Sequence, residues 1–282
     1  MVLLSAAAAF SVMWGSRLAY AQEINEEAAV WDRAQEERVP AEDADQRAFA
    51  NGFACQVEGT TLTITGNGLL DGNIESGEWE KYREEITKIV LGEGITGITH
   101  GVYGPGVTEL VLPSTLAQVG YGMDFMDSFD CDTLENIYVD EKNPDFSSQD
   151  GILYNKDKTV LVRYPKGKKA PQFTIPSSVT TFMHEAFRGC KNLTSIKIPP
   201  TVTEMVKSYG YVFTDCTGLT EVELSTTASY VPAGCFMGCS SLTDVDIPAN
   251  ITSISFDAFK NCSNLKNIRI LNRNCTFNMM GG

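Results

Sequence analysis

The sequence lacks the residues and motifs on which most enzymes depend. Histidine occurs twice in 282 residues, at His100 and His184. There is no Gly-x-Ser-x-Gly, His-Glu-x-x-His or phosphate-binding glycine motif, and no Cys-x-x-Cys pair or histidine at metal-ligand spacing. The sequence therefore predicts a non-enzymatic protein without a cofactor, in which both histidines have surface or turn roles.

Positive charge is also scarce. The 22 Lys and Arg residues are outnumbered by 36 Asp and Glu residues, and the formal net charge is −14. Nucleic-acid binding needs a basic surface that displaces counterions, so we expect no nucleic-acid partner. The small basic run from Lys166 to Lys169 is interpreted as a solvated loop.

No apolar run is long enough to span a bilayer comfortably. The longest, LLSAAAAFSVMWG, is followed by Ala19-Tyr20-Ala21, a small-x-small cleavage pattern. This predicts a secretory signal peptide over residues 1–21, although no Lys or Arg precedes the run; a cytosolic chain with an apolar end is the alternative. Residues 22–50 are acidic and are predicted to form a linker or a short helix. We expect no membrane span in the mature chain.

A repeat organises the second half of the chain. Four segments share one frame, Phe-x-x-Cys-x-x-Leu-x-x-(Ile or Val)-x-(Ile or Leu), in which x is any residue. They are FRGCKNLTSIKI, FTDCTGLTEVEL, FMGCSSLTDVDI and FKNCSNLKNIRI. Their leucines, Leu193, Leu219, Leu242 and Leu265, are 26, 23 and 23 residues apart. A period of this length predicts a solenoid, in which stacked coils bury a continuous apolar column.

The Phe and Cys positions of this frame are predicted to form a structural ladder. A small thiol suits a tight corner where the backbone of the neighbouring coil needs a partner. A disulfide framework or a metal site are the alternatives, but parallel thiols suit bridging poorly. Cys55 and Cys275 lie outside the frame and are the candidates for bridging. The predicted ladder comprises Phe187, Cys190, Phe213, Cys216, Phe236, Cys239, Phe259 and Cys262.

Alternation within the short strands places charged residues on the outward face of successive coils. Four carboxylates on neighbouring strands are interpreted either as a solvated face, relieved by flanking cations, or as a Ca²⁺ site. The predicted concave binding face comprises Lys197, Glu221, Glu223, Asp244, Asp246 and Arg269, and its four acids are the candidate ligands of the Ca²⁺ site.

The frame AFxxCxxLxxIxIP, present as AFRGCKNLTSIKIP and AFKNCSNLKNIRI, resembles the BspA-type leucine-rich repeats of bacterial surface proteins. The segment from Tyr138 to Phe182 is similar to the long insertion of that family. The resemblance covers residues 60–271 approximately and implies a mostly β solenoid, a right-handed coil of short parallel strands with few or no long helices. It implies an N-terminal β segment or cap over residues 51–82 and repeats over 83–282, with a long insertion at about 140–175.

The resemblance also implies a function. Relatives of this kind suggest a secreted or cell-surface bacterial protein that presents an extended surface to an extracellular protein or glycan, with adhesion to host or matrix as its role. The alternative is an accessory domain of an extracellular sugar-processing enzyme, for which Tyr103, Tyr121 and Tyr138 are the nearest candidates for sugar stacking. A structural spacer is a third reading.

Overall fold

The computed structural model describes residues 52–70, 81–99, 104–120, 131–206 and 210–278. These residues form a β-solenoid of about eight turns. No α-helix occurs among them. The predicted fold class is therefore confirmed.

In the first half of the solenoid, each coil contributes one strand to a long sheet and a shorter strand to a second sheet. The long sheet has the order β1-β2-β4-β6-β8, and the second has the order β3-β5-β7. Only the β1–β2 pair is antiparallel. The strands are β1 (Ala54–Glu58), β2 (Thr61–Thr65), β3 (Gly68–Leu70), β4 (Lys88–Leu91), β5 (Ile95–Ile98), β6 (Glu109–Leu112), β7 (Gln118–Val119) and β8 (Asn136–Val139).

The predicted insertion forms a mixed sheet in the middle of the chain. It contains β9 (Phe146–Gln149), β10 (Ile152–Asn155), β11 (Val160–Arg163) and, after it, β13 (Thr181–Phe182), in the order β13-β11-β10-β9. The described residues form two hydrophobic cores, one in each half of the solenoid. Successive side chains of β10 point to opposite sides, so Leu153 packs into the core of the first half, whereas Ile152 and Tyr154 pack into the core of the second half. This segment therefore belongs to both cores.

The second half repeats the two-strand coil. On one side β12 (Gln172–Thr174), β14 (Ser195–Lys197) and β15 (Glu221–Glu223) form a parallel sheet, and β17 (Asp244–Ile247) pairs with β19 (Asn267–Ile270). On the other side, β16 (Tyr230–Val231), β18 (Ser253–Ile254) and β20 (Thr276–Phe277) form a parallel sheet. The strand ladder is interrupted between β15 and β17, at the two strands that carry the four acids.

The turn around each phenylalanine uses the left-handed backbone region twice. The residue two positions before the ring and the residue two positions after it both have positive φ. Gly, Asn and Asp tolerate this conformation best, which explains why one of them precedes each cysteine of the frame. The eight positions are Glu185, Tyr211, Gly234 and Asp257 before the rings and Gly189, Asp215, Gly238 and Asn261 after them.

Residues 1–51 lie outside the described residues. The signal peptide at 1–21, the acidic linker at 22–50 and the domain boundaries drawn from them therefore stay predictions. Within the part of the chain that the structure describes, no helix is long and apolar enough to cross a membrane.

Candidate binding face and the ladder that supports it

The aromatic rings of the repeat frame stack in a single column. Centroid distances are 4.8 Å between Phe187 and Phe213, 5.4 Å between Phe213 and Phe236, and 5.5 Å between Phe236 and Phe259. The interplanar angles in this series are 21°, 3° and 10°. Tyr164 extends the column by one ring, 5.2 Å from Phe187. Sequence reasoning missed Tyr164, although it lies 23 residues before Phe187, the same separation as between Phe213 and Phe236.

Each thiol of the frame donates to the backbone carbonyl of the ring residue in the preceding coil. Sγ–O distances are 3.6 Å from Cys190 to Tyr164, 3.0 Å from Cys216 to Phe187, 3.1 Å from Cys239 to Phe213 and 3.0 Å from Cys262 to Phe236. The carbonyls of Phe187, Phe213 and Phe236 also accept the backbone N–H of the cysteine in their own coil, so each thiol adds a second hydrogen bond that links neighbouring coils.

All eight cysteines are free. Burial raises the pKa of the Cys216 and Cys239 thiols well above the ordinary value, so both stay protonated and able to donate. Burial also raises the pKa of Cys55 to about 12. Because the thiolate is the reactive form, Cys55, Cys216 and Cys239 do not have the environment of a nucleophile.

We define the strand face as the outward side chains of β12, β14, β15, β17 and β19. Its cations pair with acids on the adjacent strand of the same sheet. Lys197 Nζ lies 2.6 Å from Glu223 Oε1, and Arg269 Nε donates to Asp246 Oδ1 at 2.8 Å. Parallel register dictates these pairs, because Lys197 is opposite Glu223 and Asp246 is opposite Arg269.

Asp244 is held by a side-chain amide. Asn267 Nδ2 donates to Asp244 Oδ1 at 2.6 Å, and hydrogen bonds from Asn267 and Thr243 lower the pKa of the Asp244 carboxyl. Hydrogen bonding to Asp246 raises the pKa of Arg269. Glu221 is exposed on the neighbouring strand β15. Three of the four acids are therefore compensated within the protein.

No group of three or more His, Cys, Asp or Glu side chains among the described residues is placed to hold a metal ion. Glu221 and Glu223 lie on one sheet, and Asp244 and Asp246 lie on the other. The geometry therefore gives the calcium hypothesis no support, and it favours the solvated, charge-paired interpretation of the strand face.

The outward face of the first half is largely uncharged along one column. Ladder register aligns Thr63, Val90, Val111 and Tyr138 on successive strands. Tyr138 is 42% exposed. The alternation of β4 and β6 could have predicted this column, but sequence reasoning concentrated on the charged repeats. His100, Tyr103 and Tyr121 lie outside the described residues.

His184 was predicted to have a surface or turn role. It lies in a turn, but the prediction of a surface position is wrong, because its side chain is buried beside Glu185. His184 Nε2 lies 3.8 Å from Glu185 Oε1, and Arg188 Nη1 lies 3.3 Å from Glu185 Oε2. Arg163 Nη1 donates to the Glu185 backbone carbonyl at 2.7 Å. Burial raises the pKa of Glu185 although Arg188 and Arg163 act to lower it. This cluster fastens the turn at 184–188 to β11.

Residues 165–279 match the BspA type leucine-rich repeat region in six copies. This part of the chain is a BspA-type leucine-rich repeat region. The predicted family is confirmed by that match and by the β-solenoid that these repeats build. A comparison with curated proteins gives no match.

One solved leucine-rich repeat structure shares the fold, and two others are similar over part of the chain. A leucine-rich cell surface protein from Faecalibacterium prausnitzii is 24% identical, with a TM-score of 0.55 over 72% of this chain. The chain covers 66% of that protein, which is just under two thirds of its length. A leucine-rich repeat protein from Eubacterium ventriosum is 22% identical over 74% of this chain and 80% of its own, with a TM-score of 0.47. The pneumococcal vaccine antigen PcpA is 14% identical over 79% of this chain and 87% of its own, with a TM-score of 0.47.

Proposed function

We propose that the protein is a secreted or cell-surface bacterial leucine-rich repeat protein without enzymatic activity. Its solenoid presents the outward side chains of its strands to an extracellular protein or glycan, and its role is adhesion to a host surface or matrix. The observation that carries this proposal is the contrast between buried inward and exposed outward side chains on the strands of the coils. Inward residues such as Val222 and Val245 are buried, whereas the outward residues on either side of them in β15 and β17 are exposed.

Two further observations support the proposal. Within each sheet the outward side chains lie on adjacent strands at a spacing of about 4.8 Å, so they form ordered arrays rather than scattered positions. Extended arrays of this kind are the binding surfaces that solenoid proteins use. The Faecalibacterium prausnitzii protein of the same fold is described as a cell surface protein.

The proposal is tested by incubating the purified full chain with an array of glycans and extracellular matrix proteins. The strand face is altered by the double substitution Lys197→Glu and Arg269→Glu, and the uncharged column of the first half by Tyr138→Ala. Because all three residues are exposed, we expect only a small loss of stability, which in the double variant comes from the new like charges opposite Glu223 and Asp246, and loss of the bound ligand in one of these two variants.

Arg273→Glu is the matched control. Arg273 is exposed but lies in the loop between β19 and β20, off the strand face, so this charge reversal should leave binding unchanged. An array without any ligand, or a ligand retained equally by both face variants, contradicts the proposal.

A further inference from the structure

Positive charge is concentrated in one stretch of this acidic chain. Residues 151–200 contain nine of the 22 Lys and Arg residues but only two of the 36 Asp and Glu residues, so they carry a formal charge of +7. The chain as a whole carries −14. Because the acidic remainder already supplies the net charge that keeps a protein soluble, this local excess indicates a separate role.

Five of these cations lie on the turns of two adjacent coils, whose rings Tyr164 and Phe187 stack at a centroid distance of 5.2 Å. The two turns touch, because a Cβ at Gly189 on the second would lie 3.0 Å from Lys166 Cε on the first. We define the five side chains as the turn cations. They are Lys166, Lys168 and Lys169 on the first turn and Arg188 and Lys191 on the second.

The turn cations are crowded around too little negative charge. Lys166 Nζ lies 3.5 Å from Asp132 Oδ1, and Lys191 Nζ lies 2.8 Å from Asp132 Oδ2, so two ammonium groups share one carboxylate. Burial lowers the pKa of Lys166, and the charges of Arg188 and Lys191 lower it as well. These cations therefore repel one another, and an anion placed beside them relieves that repulsion.

The remaining turn cations do not restore the balance. Lys169 Nζ lies 2.7 Å from Glu135 Oε1. Arg188 Nη1 lies 3.3 Å from Glu185 Oε2, and the charge of Arg163 acts on the same carboxylate. Counting Arg163, six cations share the four carboxylates that interact with them in the described structure, so positive charge is in excess. The four are Asp132, Glu135, Asp150 and Glu185.

A ligand reaches this group from the solvent side of the turns. The side chains of Lys169 and Lys191 are 80% and 57% exposed, whereas that of Lys166 is 9% exposed. The basic run from Lys166 to Lys169, interpreted from the sequence as a solvated loop, is therefore solvated only toward its end. The exposed lysines form an entrance, and the buried one adds charge behind them.

The repeat itself does not require these cations. Lys191 directly follows the cysteine of its frame, and the same position is Thr217, Ser240 and Ser263 in the next three coils. The later coils thus build the same turn without a charge there. Folding leaves the cation at this position unexplained, whereas recognition of an anion explains it.

We propose that the turn cations bind a sulfated polysaccharide. This inference rests on the proposed function, because it names a ligand class for an extracellular binding protein, and it adds a second surface to the strand face. Sulfate groups along a glycan carry fixed negative charge, to which ammonium and guanidinium groups donate charge-assisted hydrogen bonds. Such a polyanion supplies the negative charge that the two turns lack.

A nucleic acid fits the same surface less well. Among the described residues of the two turns, the aromatic rings are Tyr164 and Phe187, and both are buried, so neither is available for stacking on a base. A long duplex would also approach the acidic remainder of the chain, which repels its phosphates.

Heparin, a sulfated polysaccharide, tests the proposal when it is titrated into the purified full chain in a calorimeter at low salt. We expect binding that is lost as salt rises toward about 1 M, where the Debye length is about 3 Å. The double variant Lys169→Gln and Lys191→Gln should bind heparin at least about tenfold more weakly, because it removes two charge-assisted contacts. Its melting temperature should change little, since both ion pairs that it breaks lie at the surface.

The double variant Lys142→Gln and Arg273→Gln is the matched control, because it removes two exposed positive charges away from these turns. It should bind heparin like the unaltered protein. Absence of heparin binding overturns the proposal, and so does equal weakening by both double variants, since net charge alone would then explain the binding. Duplex DNA bound as tightly as heparin, with the same loss on Lys169→Gln and Lys191→Gln, overturns the assignment to a glycan.

This test can fail separately from that of the proposed function. If the array of glycans and matrix proteins yields a ligand that one of its two variants loses, while heparin is not bound, the turn cations are excluded and the proposed function stands. If heparin binding depends on the turn cations while the array contradicts the strand face, the proposed function fails at its surface and the turn cations stand.

Discussion

The two halves of the solenoid close the same kind of coil with different side chains. The first core consists mainly of leucine, isoleucine and valine, whereas the second is built around a column of stacked rings. A thiol occurs in both. Cys131 in the first half donates to the Val107 carbonyl at 3.5 Å, as Cys239 in the second half donates to the Phe213 carbonyl at 3.1 Å. The thiol therefore serves the turn itself, and the ring column is an addition confined to the second half.

This difference has an energetic consequence. Aliphatic side chains fill a coil without a preferred mutual orientation. Stacked rings stabilise the fold beyond the apolar area that they bury, and this extra stabilisation depends on the orientation of the rings. The second half should therefore be more sensitive to changes that disturb alignment between coils, and the following substitutions compare the halves in order of expected effect.

The largest effect is expected for Phe236→Ala, which should lower the free energy of unfolding by about 3–5 kcal/mol. The ring is fully buried between Phe213 and Phe259, so the substitution leaves a cavity with neighbours on both sides. Phe236→Leu replaces the ring with the side chain used in the first half and should cost about 1–2 kcal/mol. Urea denaturation measures both. A loss below about 1 kcal/mol for Phe236→Ala would show that the ring does not hold the coils together.

Gly234→Ala and Gly59→Ala form a matched pair across the two halves. Both glycines have a φ of 57°, so both substitutions impose the same left-handed strain of about 1 kcal/mol. A Cβ at Gly234 would lie 2.3 Å from the Tyr211 ring, whereas a Cβ at Gly59 has no neighbour within 4 Å. Gly234→Ala should therefore cost about 1–3 kcal/mol more than Gly59→Ala in the same denaturation experiment. Equal losses would refute the close contact between the coils at Tyr211.

Cys239→Ser should destabilise the protein by about 1–3 kcal/mol, because a buried hydroxyl on a shorter bond reaches the Phe213 carbonyl less well. Cys239→Ala removes the donor without burying a new polar group and should cost less. Thermal melts of the two variants compare the costs directly. If serine were tolerated better than alanine, a hydrogen bond from any donor would matter more than the thiol itself.

A smaller, pH-dependent effect is expected for Glu185→Gln. Burial raises the folded-state pKa of Glu185, so the folded protein binds this proton more tightly than the unfolded chain does. Stability from this group is therefore complete below the unfolded pKa of about 4.3 and is lost as pH rises through the folded pKa. Glutamine cannot ionise, so the stability of the variant relative to wild type should increase with pH over that window. Melting temperatures at a series of pH values test this sign, and a constant difference contradicts it.

The repeat could be predicted because its members are chemically identical where the coils meet. Each of the four later coils places Phe, Cys and Leu at the same offsets, so the period is visible without a structure. The first half carries the same fold on interchangeable aliphatic residues, so its repeat is visible only in partial matches to the frame, such as the spacing of Ile86, Ile89 and Leu91. The position of β10 between the two cores could not be predicted, since Ile152, Leu153 and Tyr154 are all buried and show no alternation.

The charged face illustrates a different limit. Alternation identified the outward positions, but whether neighbouring charges attract or repel depends on how strands are grouped into sheets. The structure groups Lys197 with Glu223 and Asp246 with Arg269, and it interrupts the ladder between these pairs. The role of these residues in binding stays a prediction. The Glu185 cluster was also missed, because Arg163 and Arg188 are distant in sequence and meet only when the coils stack.

A double-mutant cycle on Phe213 and Phe236 tests the stacked column most directly. The two rings lie 5.4 Å apart and are inclined by 3°. Substituting each ring by leucine, singly and together, should give a coupling free energy of about 0.5–1.5 kcal/mol. The control cycle combines Phe236→Leu with Leu110→Ala. Phe236 and Leu110 lie in different cores, so the coupling free energy of this pair should be within about 0.5 kcal/mol of zero. Coupling between the two rings no larger than that of the separated pair would contradict a second half held together by aligned aromatic side chains.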